Sequence, residues 1–144
     1  MKLIFVNTEN ALYKDAIAIR TKLFFDKMPN SLALINDSFE AKGKHLVCLI
    51  GNEVIGTGRI NFDNETSIIS QMAVKSAYQK QGVGGKILNE LVRYSKEKNL
   101  SKIKLSARET ALAFYEKFGF VAIGDKYPSK KTGVTHQQMA LKID

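Results

Sequence analysis

Residues 72–88 read MAVKSAYQKQGVGGKIL, a stretch that joins a strand to a helix through a glycine-rich loop. The apolar residues after the glycines repeat with helical spacing, which predicts an amphipathic helix running to about Lys98. They are Ile87, Leu88, Leu91 and Val92. Glycines let the loop backbone turn with its N–H groups exposed, and the following helix contributes the positive end of its dipole. The stretch therefore predicts an anion site suited to a phosphate or a pyrophosphate.

The segments on either side of this loop predict a mixed α/β fold with helices packed on a central sheet. Upstream, the predicted strands are 2–6, 45–50, 54–60 and 66–74, with helices at 9–25 and 31–40 and a polar loop at 61–65. Downstream, the predicted elements are a short strand at 103–105, a helix at 110–118, and closing strands at 121–125 and 138–143, joined by a loop at 127–135. Because helices and strands do not alternate strictly, a doubly wound sheet is excluded.

The composition is that of one packed globular domain. The chain has 144 residues, 44% hydrophobic and 25% charged, without a repeat or a linker-like segment, so we expect a single domain at 1–144. No run of eighteen apolar residues is present, which excludes a transmembrane helix. One cysteine and two histidines exclude a disulfide framework and a structural zinc site, and a reducing cytosol is the expected compartment.

The net charge of +8 is the unusual figure, and it is unevenly distributed. Residues 1–72 hold eight basic and eight acidic side chains, whereas residues 73–144 hold fourteen basic and six acidic ones. The excess predicts either a solvated basic face or an anionic partner, and composition does not choose between nucleic acid, lipid and a phosphorylated small molecule. Because the basic residues cluster around the glycine loop rather than forming one face with stacking aromatics, neither a nucleic-acid nor a membrane partner is expected.

Two familiar phosphate-binding motifs fail on spacing. A dinucleotide-binding fingerprint needs a third glycine where this chain has Ile87, and a Walker A loop needs glycine where it has Lys80. What is present is Gln-x-x-Gly-x-Gly between a strand and a helix.

This pattern resembles the acetyl-CoA binding motif of the GNAT family of N-acyltransferases, usually written Arg/Gln-x-x-Gly-x-Gly/Ala. ALAFYEKFGF at 111–120 resembles the second signature of that family, about thirty residues further on. A looser match to the branch of small bacterial members that includes ElaA-like proteins lies at Arg20, His45, 56–59 and 136–139. The resemblance covers essentially the whole chain and implies a mostly antiparallel sheet with splayed central strands, flanked by helices.

The resemblance implies acetyl-CoA as co-substrate and no metal. Strand amides of Met72 and Val74 would pair with the pantetheine arm, while loop N–H groups would cradle the pyrophosphate. Gln79 stands where Arg is commoner, and Lys80 compensates for the lost charge. Arg108 stands where the family often has a pantetheine-binding Asn, and it is positioned to reach a phosphate instead. The implied cofactor-binding residues are Met72, Ala73, Val74, Gln79, Lys80, Gln81, Gly82, Val83, Gly84, Gly85, Lys86, Arg108 and Tyr115.

The implied chemistry is direct attack of a primary amine on the acetyl thioester in a ternary complex. Such a reaction needs a base, an oxyanion donor and an acid for the departing thiolate. The resemblance assigns the acid to Tyr115, and a strand amide near Met72 is the expected oxyanion donor. The acceptor, a small molecule or a peptide, is not fixed by the sequence, and a homodimer is compatible with the fold.

The base is the open question, because Ile68 occupies the position where many family members carry a glutamate. The substitutes are Glu65, Glu109, His45 and His136, of which His136 is preferred because it opens the last strand beside the expected acceptor cleft. A water relay is the alternative. The missing carboxylate also motivates a second hypothesis, a non-catalytic acyl-CoA binding or regulatory module. Cys48 lies in an apolar run and is expected to be a buried packing residue.

Overall fold

The structure is a computed structural model that describes residues 1–26 and 28–143. Over these residues the strands are β1 Lys2–Val6, β2 Lys44–Ile50, β3 Glu53–Asp63, β4 Thr66–Val74, β5 Lys102–Arg108, β6 Val121–Pro128 and β7 Thr135–Lys142. The helices are α1 Ala11–Phe25, α2 Ser31–Ile35, α3 Val83–Glu97 and α4 Leu112–Glu116. The strands form one sheet in the order β1-β2-β3-β4-β5-β7-β6.

Every strand pair in this sheet is antiparallel except the central pair of β4 and β5, which is parallel. That pair is short: residues 66–69 match residues 102–105, and the rest of β4 has no partner on β5. Beyond that point β5 continues alongside β7 as far as Arg108. The predicted mostly antiparallel sheet with splayed central strands is therefore confirmed.

The two faces of the sheet carry separate apolar clusters. The stripe of α3 packs on one face, where Ile87, Leu88 and Leu91 are fully buried. Helix α1 covers the opposite face through residues that include Ala16 and Ile19. Successive strand side chains point to opposite faces, so β2, β3 and β4 contribute to both clusters, whereas the buried apolar residues of β5 lie in the α3 cluster. Cys48 is fully buried in the α3 cluster and is a packing residue, as expected.

Two glycines of β3 let α3 approach the sheet closely. A Cβ atom at Gly56 would lie 2.8 Å from Ile87 Cδ1. At Gly58 it would lie 3.0 Å from both Ile87 and Leu91. The absence of side chains at these positions therefore sets the distance between the helix and the strands that carry the site.

Some predicted boundaries are wrong. Helix α2 ends at Ile35 rather than at residue 40, because the Asp37 carboxylate accepts a hydrogen bond from the Phe39 N–H at 3.0 Å and makes a turn. Strand β3 continues through residues 61–63 of the predicted polar loop, and the buried Asn61 amide donates to the Phe39 carbonyl at 3.0 Å. Asn61 thus reads as loop in sequence but lies inside the strand, where its Nδ2 is bonded and its buried Oδ1 has no hydrogen-bond partner among the described residues.

The C-terminal boundaries also differ from the predictions. The predicted helix at 110–118 contains an α-helix only at Leu112–Glu116, preceded by a 3-10 turn. Strands β6 and β7 are longer than predicted, so the connecting loop shortens to residues 129–134. Its ends are held by mutual pairing of Pro128 with Thr135.

Candidate functional site

A bulge in β4 lies where the central strands separate. Thr57 pairs with Ala73 and Arg59 with Ser70, so one residue of β3 opposes two of β4. Gln71 takes up this extra length with a φ of 55°, a left-handed conformation that non-glycine residues rarely adopt. Bulges of this kind re-aim the strand that follows them.

The strand end after the bulge presents backbone donors to the gap. The Lys75 N–H donates to the Ile55 carbonyl of β3 at 2.8 Å. Since N–H groups alternate between the two edges of a strand, those of Val74 and Met72 face the opposite edge, where β5 has diverged. An extended amide-containing chain fits this edge as an added strand would.

The glycine loop turns at Gly82, whose φ of 84° is left-handed, a conformation that glycine adopts without steric cost. Gly82 is also the N-cap of α3, and no side chain caps the helix there. The N–H groups of the first turn are consequently available to an anion. Lys80 and Lys86, which flank the turn, are exposed.

The second motif packs directly on the first. A Cβ at Gly84 would lie 3.4 Å from the Phe114 ring, and one at Gly85 would lie 3.1 Å from the Phe118 ring. Both rings come from α4 and the turn that follows it. The contact at Gly84 is an ordinary one, whereas Gly85 lets the Phe118 ring approach the start of α3 closely, so the two motifs pack together.

The structure places two loop glutamines against backbone carbonyls. The Gln79 side-chain amide donates to the Val74 carbonyl at 2.9 Å, and that of Gln81 donates to the Ala77 carbonyl at 3.1 Å. Gln79 thus ties the loop to the end of β4 across the open edge.

Tyr115 lies on α4 with its hydroxyl directed at the separated strands. The hydroxyl donates to the Met72 Sδ at 3.7 Å. The ring is held edge-on by Phe114 and Phe120, with centroid distances of 5.0 and 5.9 Å. Burial raises the pKa of Tyr115 to about 12, so the hydroxyl keeps its proton at neutral pH.

A cleft of about 630 Å³ opens beside this strand edge. Its floor includes Arg108 of β5 and His136 of β7, which are cross-strand partners. Its walls include Phe24 and Phe25 at the end of α1, together with the loop at 129–132. Met72 and Tyr115 also line the cleft, so the bulged strand and the α4 hydroxyl open into the same space as the histidine.

Of the four substitute bases, only His136 lines the cleft. The His136 Nδ1–H donates to the Val134 carbonyl at 2.8 Å, which leaves the Nε2 lone pair free in the neutral ring. Glu109 is exposed and pairs with Lys126 at 2.8 Å, and Glu65 is exposed at the far end of β4. Ile68, which stands where the family often has a glutamate, lines the cleft as an apolar residue.

His45 belongs instead to a set of buried and half-buried polar residues centred on the Glu40 carboxylate and two arginines, here named the buried ionic cluster. Its members are Tyr13, Arg20, Asp37, Glu40, His45 and Arg59. Arg20 donates to both Glu40 oxygens at 2.8 Å, and Arg59 donates to Glu40 and to Asp37 at 2.8 Å. His45 Nε2 lies 3.1 Å from the Glu40 carbonyl oxygen. Burial lowers the pKa of His45, so this ring is a neutral structural group rather than a base for the cleft.

The buried ionic cluster is attached to the β4 bulge. Arg20 Nε donates to the Gln71 side-chain oxygen at 3.1 Å, and Arg59 Nε donates to the Ser70 hydroxyl at 2.9 Å. Burial alone would raise the pKa of Glu40, but hydrogen bonds from Arg20 and Tyr13 lower it to about 2. The carboxylate is therefore charged at all ordinary pH values, and it holds both arginines in place beside the bulge.

Sequence analysis singled out Arg20, His45 and Arg59 but missed Glu40 and Gln71, which join them. Glu40 falls in a segment predicted as helix, where a glutamate reads as a solvated side chain. The only signal is the presence of several arginines and a histidine in elements that must pack together.

Among residues 1–26 and 28–143, no group of three or more His, Cys, Asp or Glu side chains is arranged to hold a metal ion. Within the same residues, no helix has the length and apolar character needed to cross a bilayer.

A splayed strand pair beside a glycine loop at a helix N-terminus is the architecture of an acyltransferase that takes its acyl group from coenzyme A. A family model described as "Acetyltransferase (GNAT) domain" matches residues 10–143, and the chain belongs to this family. The chain is thus an acyltransferase of the GNAT class, as the two motifs predicted.

Similar proteins agree with this assignment. A Bacillus subtilis protein named "Uncharacterized N-acetyltransferase YjcF" is 27% identical to this chain. The similarity covers 96% of this chain and 98% of that protein. The crystal structure of Escherichia coli ElaA has a TM-score of 0.82 at 16% identity, covering 96% of this chain and 97% of that one. An aminoglycoside 6'-N-acetyltransferase complexed with coenzyme A has a TM-score of 0.80 at 15% identity, covering 100% and 98%.

Proposed function

We propose that this chain is a single-domain, acetyl-CoA-dependent N-acetyltransferase that acetylates a primary amine by direct attack in a ternary complex. The observation that carries the proposal is the convergence of Met72, Tyr115 and His136 on one cleft. A strand amide, a protonated hydroxyl and a free imidazole nitrogen are the three groups that this reaction requires. A buried single cysteine accords with a reducing cytosol as the proposed compartment.

The proposed acetyl-CoA site runs along the open edge of β4 into the glycine loop. The Val74 N–H and the Met72 carbonyl would pair with the pantetheine arm, and the N–H groups from Gln81 to Gly85 would hold the pyrophosphate. The Lys86 N–H is not among them, because it donates to the Gly82 carbonyl at 3.1 Å. Lys80 and Lys86 add positive charge at the mouth of the loop. We propose that Gln79 serves the site by tying the loop to Val74.

Acetyl-CoA supplies an activated acetyl thioester, and the residues of this chain handle the charges and protons. The Met72 N–H is the proposed donor to the oxygen that gains negative charge. The Tyr115 hydroxyl is the proposed donor of a proton to the departing sulfur, because burial keeps it protonated and it points to the strand edge. His136 Nε2 is the proposed acceptor of the amine proton, since Nδ1 is committed to Val134.

The test mixes purified protein, acetyl-CoA and a panel of primary amines, and follows release of free thiol. Acetyl-CoA binding is measured separately by calorimetry. Tyr115→Phe should retain binding and lose about a hundredfold in kcat, because proton donation of this kind contributes at least that much. His136→Gln should lose activity at neutral pH and regain part of it as pH rises and more of the amine becomes free. Absence of acetyl-CoA binding at millimolar concentration would refute the proposal.

A second candidate, a non-catalytic acyl-CoA binding or regulatory module, is favoured by one observation. Ile68 lines the cleft where a family carboxylate is common, so a strand base is missing. This candidate predicts tight acetyl-CoA binding with very low thiol release that is the same in the parent protein and in Tyr115→Phe. A large difference between the two proteins would exclude it.

A further inference from the structure

The cleft beside His136 has an unbalanced charge. Among the described residues that line it are five basic side chains and one carboxylate, Asp37. The basic ones are Arg59, Lys104, Arg108, Lys130 and Lys131. A cleft lined by one sign of charge focuses its field and concentrates ligands of the opposite sign.

The single carboxylate is fully engaged by two of these cations. Asp37 accepts from Arg59 at 2.8 Å and from Lys131 at 2.7 Å. Burial would raise the pKa of Asp37, but hydrogen bonds from the same two residues lower it to about 2. Within the described part of the chain, Arg108, Lys104 and Lys130 form no ion pair within 4 Å. These three cations remain to receive an anion from outside.

Arg108 lies closest to the proposed base. It pairs across strands with His136, so their Cβ atoms are about 5 Å apart. Its guanidinium stacks over the Phe24 ring at 5.1 Å, which orients the planar fork within the cleft. Lys104 lies on the same face of β5, because Ile103, Leu105 and Ala107 alternate with it and are buried on the other face.

This charge is separate from the phosphates of the cofactor. The proposed pyrophosphate site is the glycine loop, and none of residues 79–86 lines the cleft. The cations line the same cleft as Tyr115 and His136.

We propose that the amine acceptor carries a carboxylate or a phosphate a few bonds from its amine, and that Arg108 binds this group with Lys104 and Lys130 reinforcing the field. The inference rests on the proposed function and names its substrate class. Polyamines and other polycations are disfavoured, because the same cations repel them. Neighbouring positive charge also lowers the pKa of a bound ammonium, which helps to free the amine where the strand carboxylate is missing.

The experiment compares matched acceptors in the thiol-release assay with saturating acetyl-CoA. One series is L-phenylalanine, L-phenylalaninamide and phenethylamine; the other is phosphoethanolamine and ethanolamine, with spermidine as the polycation. Each kcat/KM is corrected for the fraction of free amine, since the amine pKa differs within a series. The acid or phosphate should exceed its neutral analogue at least tenfold. The two series distinguish a carboxylate acceptor from a phosphate acceptor.

Variants then locate the preference. Arg108→Gln should reduce the ratio of anionic to neutral acceptor about tenfold without changing the KM for acetyl-CoA, and Arg108→Lys should restore part of it. Lys104→Gln should reduce the ratio about threefold. Lys102→Gln is the control, because Lys102 lies on the same strand but lines a different surface, and the ratio should not change.

The outcomes that overturn the inference are distinct. Equal or better turnover of neutral or cationic amines, with thiol released and acetyl-CoA bound, refutes the anionic acceptor and leaves the proposed function standing. A rise in the KM for acetyl-CoA in Arg108→Gln, with an unchanged acceptor ratio, assigns Arg108 to the cofactor instead. Failure of acetyl-CoA to bind removes the proposed function and this inference together.

Discussion

The glycine loop at 79–86 and the buried ionic cluster are built to handle charge in opposite ways. The loop has a left-handed turn at Gly82 and a helix N-terminus without a side-chain cap, which leaves backbone N–H groups of the first turn without an intrahelical partner. The cluster encloses the carboxylate of Glu40, 3% exposed, between two arginines that are permanently bound to it. One region is prepared for a ligand, whereas the other uses its charge to hold the protein itself in shape.

Both regions act on the same strand. The loop is tied to the end of β4 through Gln79 and Val74, and the cluster holds the bulge through Gln71 and Ser70. The amide of Met72 lies between these two attachments. The open edge of β4 is therefore held at one end by the buried ionic cluster and at the other end by the glycine loop.

Removing the central carboxylate should produce the largest effect. Glu40→Ala leaves Arg20 and Arg59 buried without it, and breaking a buried pair in this way typically costs about 3–5 kcal/mol of unfolding free energy. Urea denaturation followed by circular dichroism measures the loss. The control is Glu97→Ala, which removes an exposed helix ion pair with Arg93 and should cost at most about 0.5 kcal/mol.

A loss below about 1 kcal/mol in Glu40→Ala would contradict the rigid role of the cluster. If Glu40→Ala stays folded, with a reduced kcat and an unchanged affinity for acetyl-CoA, the bulge that the cluster holds would affect the chemical step rather than cofactor binding.

Acid should weaken the protein through the same residues. Asp37 and Glu40 have pKa values lowered to about 2 in the fold, so their contribution is complete above their ordinary pKa and is lost as pH falls from about 5 to about 2. Burial lowers the pKa of His45, so protonation of the unfolded chain below about 6.5 acts in the same direction. The unfolding free energy, measured in urea from pH 7 to pH 3, should fall with a smaller slope in Glu40→Gln.

An equal slope in the two proteins would show that carboxylates outside the cluster dominate acid unfolding.

The difference between the two regions also explains what the sequence could and could not predict. The loop is contiguous, with a left-handed turn at Gly82 and a close contact of the Phe118 ring at Gly85, so its residues form one motif that a resemblance to known sequences can reveal. The cluster is assembled from α1, β2, β3 and the turn segment between α2 and β2, and its parts become partners only after the sheet forms. Glu40 carries no local signal of burial. The prediction for α2 extends too far for the same reason, because the Asp37 turn that ends the helix is bonded to Arg59, which is distant in sequence.

The separation of β4 from β5 was likewise predictable only in part. Motif resemblance predicted separated central strands, but the bulge at Gln71 that re-aims β4 has no glycine to mark it. The cationic lining of the cleft likewise comes from three separate segments, which are β3, β5 and the loop after β6. The charge excess of the C-terminal half is visible in the sequence, but the placement of Lys104, Arg108, Lys130 and Lys131 around one cleft depends on the folded arrangement.

Strain placed in the loop should have an intermediate effect. Gly82→Ala forces a side chain into a left-handed φ of 84° with no neighbouring atom within 4 Å, which costs about 1–2 kcal/mol. Gly51→Ala is a matched control, because Gly51 has a φ of 60° in the β2–β3 turn and also meets no atom within 4 Å. Both should lose similar unfolding free energy, but only Gly82→Ala should weaken acetyl-CoA binding, by about tenfold in calorimetry. An acetyl-CoA affinity of Gly82→Ala equal to that of Gly51→Ala would contradict a role of the loop in binding the cofactor.

The smallest effect should come from the tie between the loop and the strand. Gln79→Ala removes one exposed hydrogen bond to the Val74 carbonyl, which typically contributes about 0.5–1.5 kcal/mol. If the tie orders the loop for the cofactor, the loss appears as a twofold to tenfold higher Kd for acetyl-CoA, since about 1.4 kcal/mol corresponds to tenfold. Gln81→Ala is the control, because its hydrogen bond to the Ala77 carbonyl stays within the loop. A stability loss in Gln79→Ala without a change in the Kd for acetyl-CoA would mean that the loop keeps its binding conformation without this hydrogen bond. The buried ionic cluster would then be the attachment that positions β4 for the cofactor.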